Sequence, residues 1–571
     1  MHKRLLIGIL FLATVLRFWN LGTYPDAIDE DEMALGYYAY SLVTSGTDEY
    51  GNPFPIYFES AGDYKYGLYS YFAVIPVGLF GLNPVTTRSV AAAAGVLSVA
   101  VVYFLSREIF NNKKLALITA AVLAIAPTHI HFSRVAYSNI LGAFFAMLSV
   151  LFLLRYYKKL KLKYLAVSIL FFLLGIYAYQ AYRIFLPTVF VLISLLFIKK
   201  PFKKSVLQAM FISGLAIAIV IISFVPAKSR ARSQSVSLLS EQPKLVEYFS
   251  EDGISKTPLI LTRLVHNKYQ SLGFGIAKRY VEYFDPVFLF FESSPTVQRH
   301  TTPETGLLYL IEAPLLLIGF MTITRSTKDK KKFVPFILLL ASPVAASFVL
   351  DTVSTTRAVI LTYAFSFFTA YGVYLLISRR RIGKWLLLIV FSLYLANFVY
   401  YAHQYLVHKT YHHPWYSDVG LKEMVVKVDT LYNGYDAVVI SHGHYIPFLF
   451  YNQISPKDFI SESNYAPKSL DNGVKVINFN KIYFNMPYEC PLAGKENVLY
   501  VCFGSQLPAN ASLVDVIRYK DDQPAIMLVE FSGEEEKAVL PDKVHYSSNV
   551  DENFANGLLP QNYPSYWPLP K

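Results

Sequence analysis

Long apolar runs separated by short polar turns dominate the first 405 residues, and the runs have roughly bilayer-crossing length. The first follows Met1-His-Lys-Arg4 and reaches Leu16. Arg17-Phe-Trp19 comes next instead of a small-residue cleavage pattern, so the run reads as an uncleaved signal anchor with its N-terminus inside. Ten more runs cover 88–106, 115–132, 139–154, 164–182, 184–198, 205–226, 305–324, 333–350, 357–377 and 385–402. They predict a polytopic α-helical membrane protein with about eleven transmembrane helices. Beyond residue 405 the pattern changes. Asp436-Ala-Val-Val-Ile-Ser441, Val474-Lys-Val-Ile-Asn-Phe479 and Val498-Leu-Tyr-Val-Cys-Phe503 read as strands between Gly, Pro, Asn and Asp clusters. They predict an α/β or mainly β domain over 406–571, closed by a Pro- and Asn-rich end that is loosely ordered or covers a surface.

Charge places one further apolar run, 66–82. If it does not cross, the turns on one side are 107–114, 155–163, 199–204, 325–332 and 379–384. With Lys3 and Arg4 these hold 23 Lys and Arg against two acids, Glu108 and Asp329. The rest of the chain holds 29 Lys and Arg against 38 acids. Every basic block then faces the cytoplasm, as the positive-inside rule requires. Residues 66–82 therefore read as a helix lying on the outer face, or re-entrant. The outer side receives the loop 21–87, a second large loop 227–304, and the C-terminal domain.

Composition agrees. Mean hydropathy is +0.36 and 54% of residues are hydrophobic, which excludes an ordinary soluble protein of 571 residues. The net charge of +12 belongs to cytoplasmic turns and does not point to nucleic acid. Aromatics reach 16%, suiting membrane-interface belts and, in outer loops, stacking on sugar faces. Cys490 and Cys502 both fall in the C-terminal domain, where an extracytoplasmic position would permit a disulfide. The tail's His412, His413, His442 and His444 complete no metal-ligand spacing and read as structural.

The chemistry gathers in the first outer loop. Residues 21–65 hold nine acids and one base, Lys65. The acids centre on Asp26-Ala-Ile-Asp-Glu-Asp-Glu32, just before an amphipathic helix opening Met33-Ala-Leu-Gly-Tyr-Tyr-Ala-Tyr40. Asp31 and Glu32 would sit at that helix's N-terminus, whose dipole keeps carboxylates ionised, as a general base requires. A solvated acidic loop is the plainer reading. Asp29-Glu-Asp31 also spells a metal-binding D-x-D, a weak signal within a run of acids. The spans themselves are nearly free of ionisable residues, Glu312 being the exception. A polytopic transporter or lipid flippase, the alternative, would carry charge near the midplane. Polar chemistry at the outer boundary favours an enzyme whose substrate arrives in the lipid. A non-catalytic membrane scaffold remains a third reading.

These residues resemble a known family. Arg17-Phe-x-x-Leu, Asp31-Glu32-x-Ala-x-x-Gly-Tyr, Thr47-Asp-Glu-x-Gly51 and Gly62-Asp-Tyr-Lys65 are similar to the first outer loop of GT-C glycosyltransferases. The likeness is to the protein O-mannosyltransferase and aminoarabinose (lipid A) transferase group. It continues in His131-Phe-Ser-Arg-Val-Ala-Tyr-Ser-Asn139, Tyr179-Gln-Ala-Tyr-Arg183, Arg299-His300 and Arg357, spanning nearly all of residues 1–405. The resemblance implies a GT-C transmembrane catalytic domain over 1–405. It implies inverting transfer of a sugar from a polyprenyl phosphate to a lipid, glycan or protein acceptor at the outer face of the plasma membrane. It gives Asp31 the part of base, with Glu32 orienting it or binding the sugar. Lys65, Arg183, Arg299 and Arg357 become candidates for the donor phosphate. Asp63, Arg134, Asn139, His300 and Glu312 are weaker substrate-binding candidates. An acid often stands in the mannosyltransferases where Asn139 is, which leaves a second acidic partner in doubt. No cofactor is required, although the acids would accept a divalent metal.

Overall fold

A computed structural model describes residues 2–60, 63–198, 202–226, 245–293, 298–325, 329–349, 353–378, 384–441, 445–465, 476–486, 490–491, 494–504, 507–508 and 510–532. His442, His444 and the Pro-rich end lie outside the described residues. The chain opens with α1 (His2–Phe18), α2 (Glu30–Ser45), the hairpin β1 (Tyr57–Ser60) and β2 (Asp63–Tyr66), then α3 (Leu68–Phe80) and α4 (Pro84–Phe110). Next come α5 (Lys113–Ile125), α6 (Pro127–Phe132), α7 (Ser138–Lys159), α8 (Leu162–Ala178), α9 (Tyr182–Leu196) and α10 (Phe202–Ser223). Then follow α11 (Leu245–Ile254), α12 (Leu259–Val265), α13 (Lys268–Glu282), α14 (Pro286–Phe290), α15 (Glu312–Arg325), α16 (Val334–Ser347), α17 (Thr355–Ser378) and α18 (Lys384–His403).

Each of the eleven apolar runs carries a helix. Among the described residues, Pro84–Phe110, Ser138–Lys159, Lys204–Ser223, Thr355–Ser378 and Trp385–Tyr411 are long and apolar enough to cross a membrane. Two expectations are corrected. The run 115–132 breaks at Ala126, which turns extended (ψ 128°) before Pro127, because a residue preceding proline is driven out of the helical region. The run 305–324 becomes helical only at Glu312, with Pro314 in the first turn, where a missing N–H costs no hydrogen bond. Helices α11–α14 lie between Leu245 and Phe290. These helices leave Val246, Ile254, Ile260, Leu264 and Phe274 exposed.

Helix α3, in the run expected to lie on the surface, has 13 residues. That is about 20 Å at the helical rise, short of the roughly 30 Å hydrocarbon core. Tyr69, Ser70, Ala73 and Val77 are buried, while Phe72, Ile75, Leu79 and Phe80 are exposed.

Contacts group the chain into two compact units. The first holds Met1–Ala13, Val96–His131 and Gly142–Tyr401. Its basic turns meet at one end. Lys158 and Lys331 both pair with Glu108, at 2.9 and 3.1 Å, and Lys330 Nζ donates to the Ile198 carbonyl at 3.1 Å. Elsewhere in the unit Tyr309 and Tyr401 donate to the carbonyls of Ile125 and Pro127. Helices α15 and α17 cross backbone to backbone. A Cβ on Gly319 would meet the Phe368 carbonyl oxygen at 1.9 Å, and one on Gly372 the Leu315 oxygen at 2.2 Å. Small residues permit such close crossings in membranes.

The second unit joins Thr14–Gly95 and Phe132–Leu141 to the chain from Ala402 onward. That last part is an α/β fold: α19 (Leu421–Leu431), β3 (Ala437–Ser441), α20 (Ile446–Tyr451), α21 (Pro456–Glu462), β4 (Ser463–Tyr465), β5 (Val476–Phe479), β6 (Ile482–Met486), β7 (Val498–Phe503), β8 (Ala511–Arg518) and β9 (Pro524–Phe531). Its sheet runs β4-β5-β6-β3-β7-β9-β8, with β3 parallel to both β6 and β7 and the remaining pairs antiparallel. Val439, Val498, Tyr500, Met527, Val529 and Phe531 pack one face. Cys490 and Cys502 are joined in a disulfide.

Candidate active site

The site grows from the N-terminus of α2. Asp29 is the N-cap, its Oδ1 accepting the Glu32 N–H at 2.9 Å, as a short acidic side chain does best. Asp29 also accepts the Tyr137 hydroxyl. The first turn then carries Glu30, Asp31 and Glu32. Successive residues in a helix point about 100° apart, so these acids meet different surroundings.

Glu32 turns inward. Arg88 of α4 grips it as a fork, Nε to Oε2 and Nη2 to Oε1, both at 2.8 Å. The Ala136 N–H adds a third hydrogen bond, at 2.6 Å. Arg88 spends its remaining donors on the carbonyls of Leu21, Pro25 and Ala27, so all five guanidinium N–H groups are used. Both side chains are about 2% exposed or less. Glu32 is therefore a structural anchor for α2 against α4 and the 21–27 turn. Asp31 turns outward, with a side chain 41% exposed. It pairs with Lys65 of β2, Nζ to Oδ1 at 2.6 Å. The hairpin that presents Lys65 is fastened to α2 by stacking of Phe58 on Tyr38, with ring centroids 4.4 Å apart. Helix α3 is fastened by the Ser70 hydroxyl, which donates to the Leu35 carbonyl.

The other candidates of this unit divide in the same way. Arg134 is buried and clamps backbone, donating to the carbonyls of Leu16 at 3.0 Å and Tyr24 at 2.9 Å, with its guanidinium 5.8 Å from the Tyr405 ring centroid. Asn139 is fully buried at the start of α7. Asp63 opens β2 opposite Ser60, and its side chain lies outside the described part. Asp29 faces the cap while Asp31 faces Lys65, so the D-x-D does not converge. Among the described residues, no three His, Cys, Asp or Glu side chains are grouped to hold a metal ion.

The remaining candidates belong to the first unit. Arg183 is buried in the first turn of α9, its guanidinium 4.8 Å from the Phe224 ring centroid. Arg299 and His300 form a half-buried 3₁₀ turn. The His300 carbonyl accepts the Thr355 hydroxyl at 3.1 Å, which sets this turn beside the first turn of α17 and half-buried Arg357. Glu312 is buried and accepts the Thr369 hydroxyl at 2.9 Å, a polar tie between α15 and α17.

Sequence reading missed Arg88. It stands at the start of an apolar run, on the side where basic residues are scarce, and that exception was the available signal. Glu49 was also missed: it is fully buried, accepts the Tyr445 hydroxyl, and its pKa is pushed up to about 8, chiefly by burial.

The helical bundle, with its carboxylate–lysine pair and its α/β part, has the GT-C fold, and among the described residues five of its helices are long and apolar enough to cross a membrane. Within that fold the chain resembles the protein mannosyltransferase and ArnT group. Residues 68–227 match the family model described as dolichyl-phosphate-mannose-protein mannosyltransferase. ArnT from Cupriavidus metallidurans in the apo state superposes with a TM-score of 0.51 at 11% identity, covering 92% of this chain and 97% of that one. The same protein bound to undecaprenyl phosphate gives 0.50 at 10% identity, covering 91% and 97%. The archaeal oligosaccharyltransferase AglB from Archaeoglobus fulgidus, in complex with an inhibitory peptide and a dolichol-phosphate, gives 0.50 at 13% identity, covering 88% and 69%. Comparison with curated proteins gives no match.

Proposed function

We propose that the protein is an inverting glycosyltransferase that moves a sugar from a polyprenyl-phosphate donor to a lipid, glycan or protein hydroxyl at the outer face of the plasma membrane. The observation that carries this reading is the Asp31–Lys65 pair: of the two acids in the family's Asp-Glu pattern, Glu32 is locked away and Asp31 is half-exposed beside a cation. The solved relatives bound to undecaprenyl phosphate and dolichol-phosphate indicate the donor class.

In the proposed reaction the acceptor hydroxyl attacks the anomeric carbon from the face opposite the phosphate. Its proton passes to Asp31 as the new C–O bond forms. The bond from the anomeric carbon to phosphate oxygen breaks with its electron pair, and the lipid phosphate leaves with the added negative charge. That leaving group needs a cation more than an acid, and Lys65 supplies it. Transfer of Lys65 from Asp31 to the phosphate would leave the carboxylate more basic when a base is needed. Arg299 and Arg357 are further phosphate candidates. Buried Arg183, Arg134 and Asn139 read as supports, and Glu312 as a packing group.

Changing Lys65 to Met should raise the donor KM by about 10- to 100-fold, the worth of a hydrogen bond to a charged group. The acceptor KM should change little. An unchanged donor KM would remove Lys65 from the phosphate site.

The outer location is supported by the disulfide, which persists in oxidising compartments, and by the meeting of the basic turns at one end of the first unit. Glu251→Cys, on an exposed face of α11, should react with an impermeant thiol reagent added outside intact cells. Labelling only after permeabilisation would reverse the side assignment.

A further inference from the structure

The Thr47-Asp-Glu-x-Gly51 stretch has no part in the proposed chemistry, yet it forms a second polar knot in the first loop. Asp48 builds the turn, its Oδ1 accepting the N–H groups of Tyr50 at 3.0 Å and Asn52 at 2.8 Å. Glu49 points inward and is fully buried. Its Oε1 accepts the hydroxyl of Tyr445, the residue before α20, and Tyr445 in turn lies 3.1 Å from the Tyr50 hydroxyl. Its Oε2 is buried with no hydrogen-bond partner among the described residues.

The same face of the loop is held by the C-terminal α/β part at several points. Tyr37 and Tyr40 of α2 donate to the carbonyls of Ile454 and Gln453, both at 2.9 Å. The Tyr50 and Tyr465 rings meet edge to face, 5.8 Å between centroids. At the other end of α2, the Glu30 N–H donates to Asp418 and Asp26 pairs with Lys520. Helix α2 is thus gripped at both ends by residues 418–520, and Glu49 is the ionisable group at the far grip.

We propose that Glu49 acts as a neutral carboxylic acid that keys the 46–53 turn to residues 445–465, a positioning residue for α2 and Lys65, and that loss of its proton releases this key. The positioning role rests on the sugar-transfer reading; the key itself does not.

The groups facing Glu49 are Asp48 and Tyr50 from its own turn, Tyr37 from α2, Lys65 from β2, Tyr445 before α20 and Tyr465 from β4. Burial raises the Glu49 pKa to about 8, and Asp48 adds to it. The hydroxyls of Tyr445 and Tyr50 oppose the rise, as does Lys65 more weakly. Burial and the Glu49 charge hold the Tyr37 and Tyr50 phenols above their ordinary range, so they remain hydrogen-bond donors throughout. An ionised Glu49 would place a charge on a fully buried carboxylate beside Asp48, a costly arrangement. It would also compete with Asp31 for Lys65.

The direction with pH follows from linkage. The folded state keeps a proton that the unfolded chain gives up in the ordinary carboxylate range. Stability of the key is therefore full below that range and is lost as pH rises through about 8.

The test is hydrogen–deuterium exchange of the detergent-solubilised full chain between pH 6 and 9.5, corrected for intrinsic rates, with transfer kcat measured in parallel. One pH unit above its midpoint an acid is about tenfold more ionised than neutral. Segments 47–54 and 445–451 should accordingly exchange about tenfold faster at pH 9 than at pH 7 in the wild type. Glu49→Gln, which cannot ionise, should show no such rise. Tyr445→Phe removes a donor that favours the ionised form, so the midpoint should move to higher pH; it decides the matter should Glu49→Gln not fold. A flat wild-type profile, a rise shared by Glu49→Gln, or an unmoved Tyr445→Phe midpoint would overturn the proposal. Absence of transfer at every pH, with the exchange pattern as expected, would defeat the sugar-transfer reading and leave the key standing.

Discussion

Asp31→Asn is expected to lower the transfer rate constant by about 100- to 10,000-fold, the range for loss of a positioned general base. The fold should survive. The N-cap of α2 is Asp29, and the helix is anchored through Glu32. Asp31 is 41% exposed, and exposed ion pairs are worth roughly 1 kcal/mol or less. The unfolding midpoint should therefore move little while kcat collapses. Donor KM should stay level or fall, because Lys65 is freed from its carboxylate partner. Steady-state kinetics with a lipid-phosphate sugar, beside thermal unfolding in detergent, checks both halves. A folded Asp31→Asn protein with full activity would exclude Asp31 as the base.

The second large effect is on stability. Arg88→Met should destabilise the protein by about 3–5 kcal/mol, the cost of stranding one member of a buried ion pair. Five hydrogen bonds vanish, and Glu32 is left buried with the Ala136 N–H still donating to it. The paired change Glu32→Gln with Arg88→Met should recover part of the loss, since removing both charges of a buried pair is often near neutral. Denaturant or thermal unfolding of the two single variants and the double gives the coupling directly. Additive losses would mean that the fork is incidental. Coupling well above about 1 kcal/mol would establish it as the anchor of α2.

The two effects separate neighbouring residues of one motif, and that separation was not legible in the sequence. Asp31 and Glu32 are adjacent acids in one helical turn, and the chain gives no local sign of which turns inward. The deciding partners are remote: Arg88 lies 56 residues on, and Lys65 lies 34 residues on. Lys65 could be paired with the acids because it is the single base among nine acids in the loop. Arg88 was absorbed into a span by its apolar neighbours, although an arginine on the base-poor side was itself a warning.

The spans were readable because apolar runs and basic turns are local signals of opposite kind. Pro127 marks the break at Ala126, but the continuous apolar run around it masks that signal. The non-helical segment before Glu312 carries no comparable mark. The C-terminal part illustrates the opposite limit. Its strands were visible from alternation and its two cysteines invited a disulfide. Its grip on α2 was not visible, since it depends on Tyr37, Tyr40 and Glu49 meeting residues about 400 positions away. That grip makes the α/β part a support for the proposed base-bearing helix.

The most direct measurement is transfer in reconstituted vesicles, with a polyprenyl-phosphate sugar as donor and extracted envelope lipid, glycan or protein as acceptor. Mass spectrometry would follow both the glycosylated acceptor and the released lipid phosphate. Wild-type protein should yield product with inverted anomeric configuration, in proportion to lipid phosphate released, and Asp31→Asn should yield almost none. Equal amounts of product from the two proteins, or movement of the lipid across the bilayer with no sugar transferred, would contradict the proposed reaction.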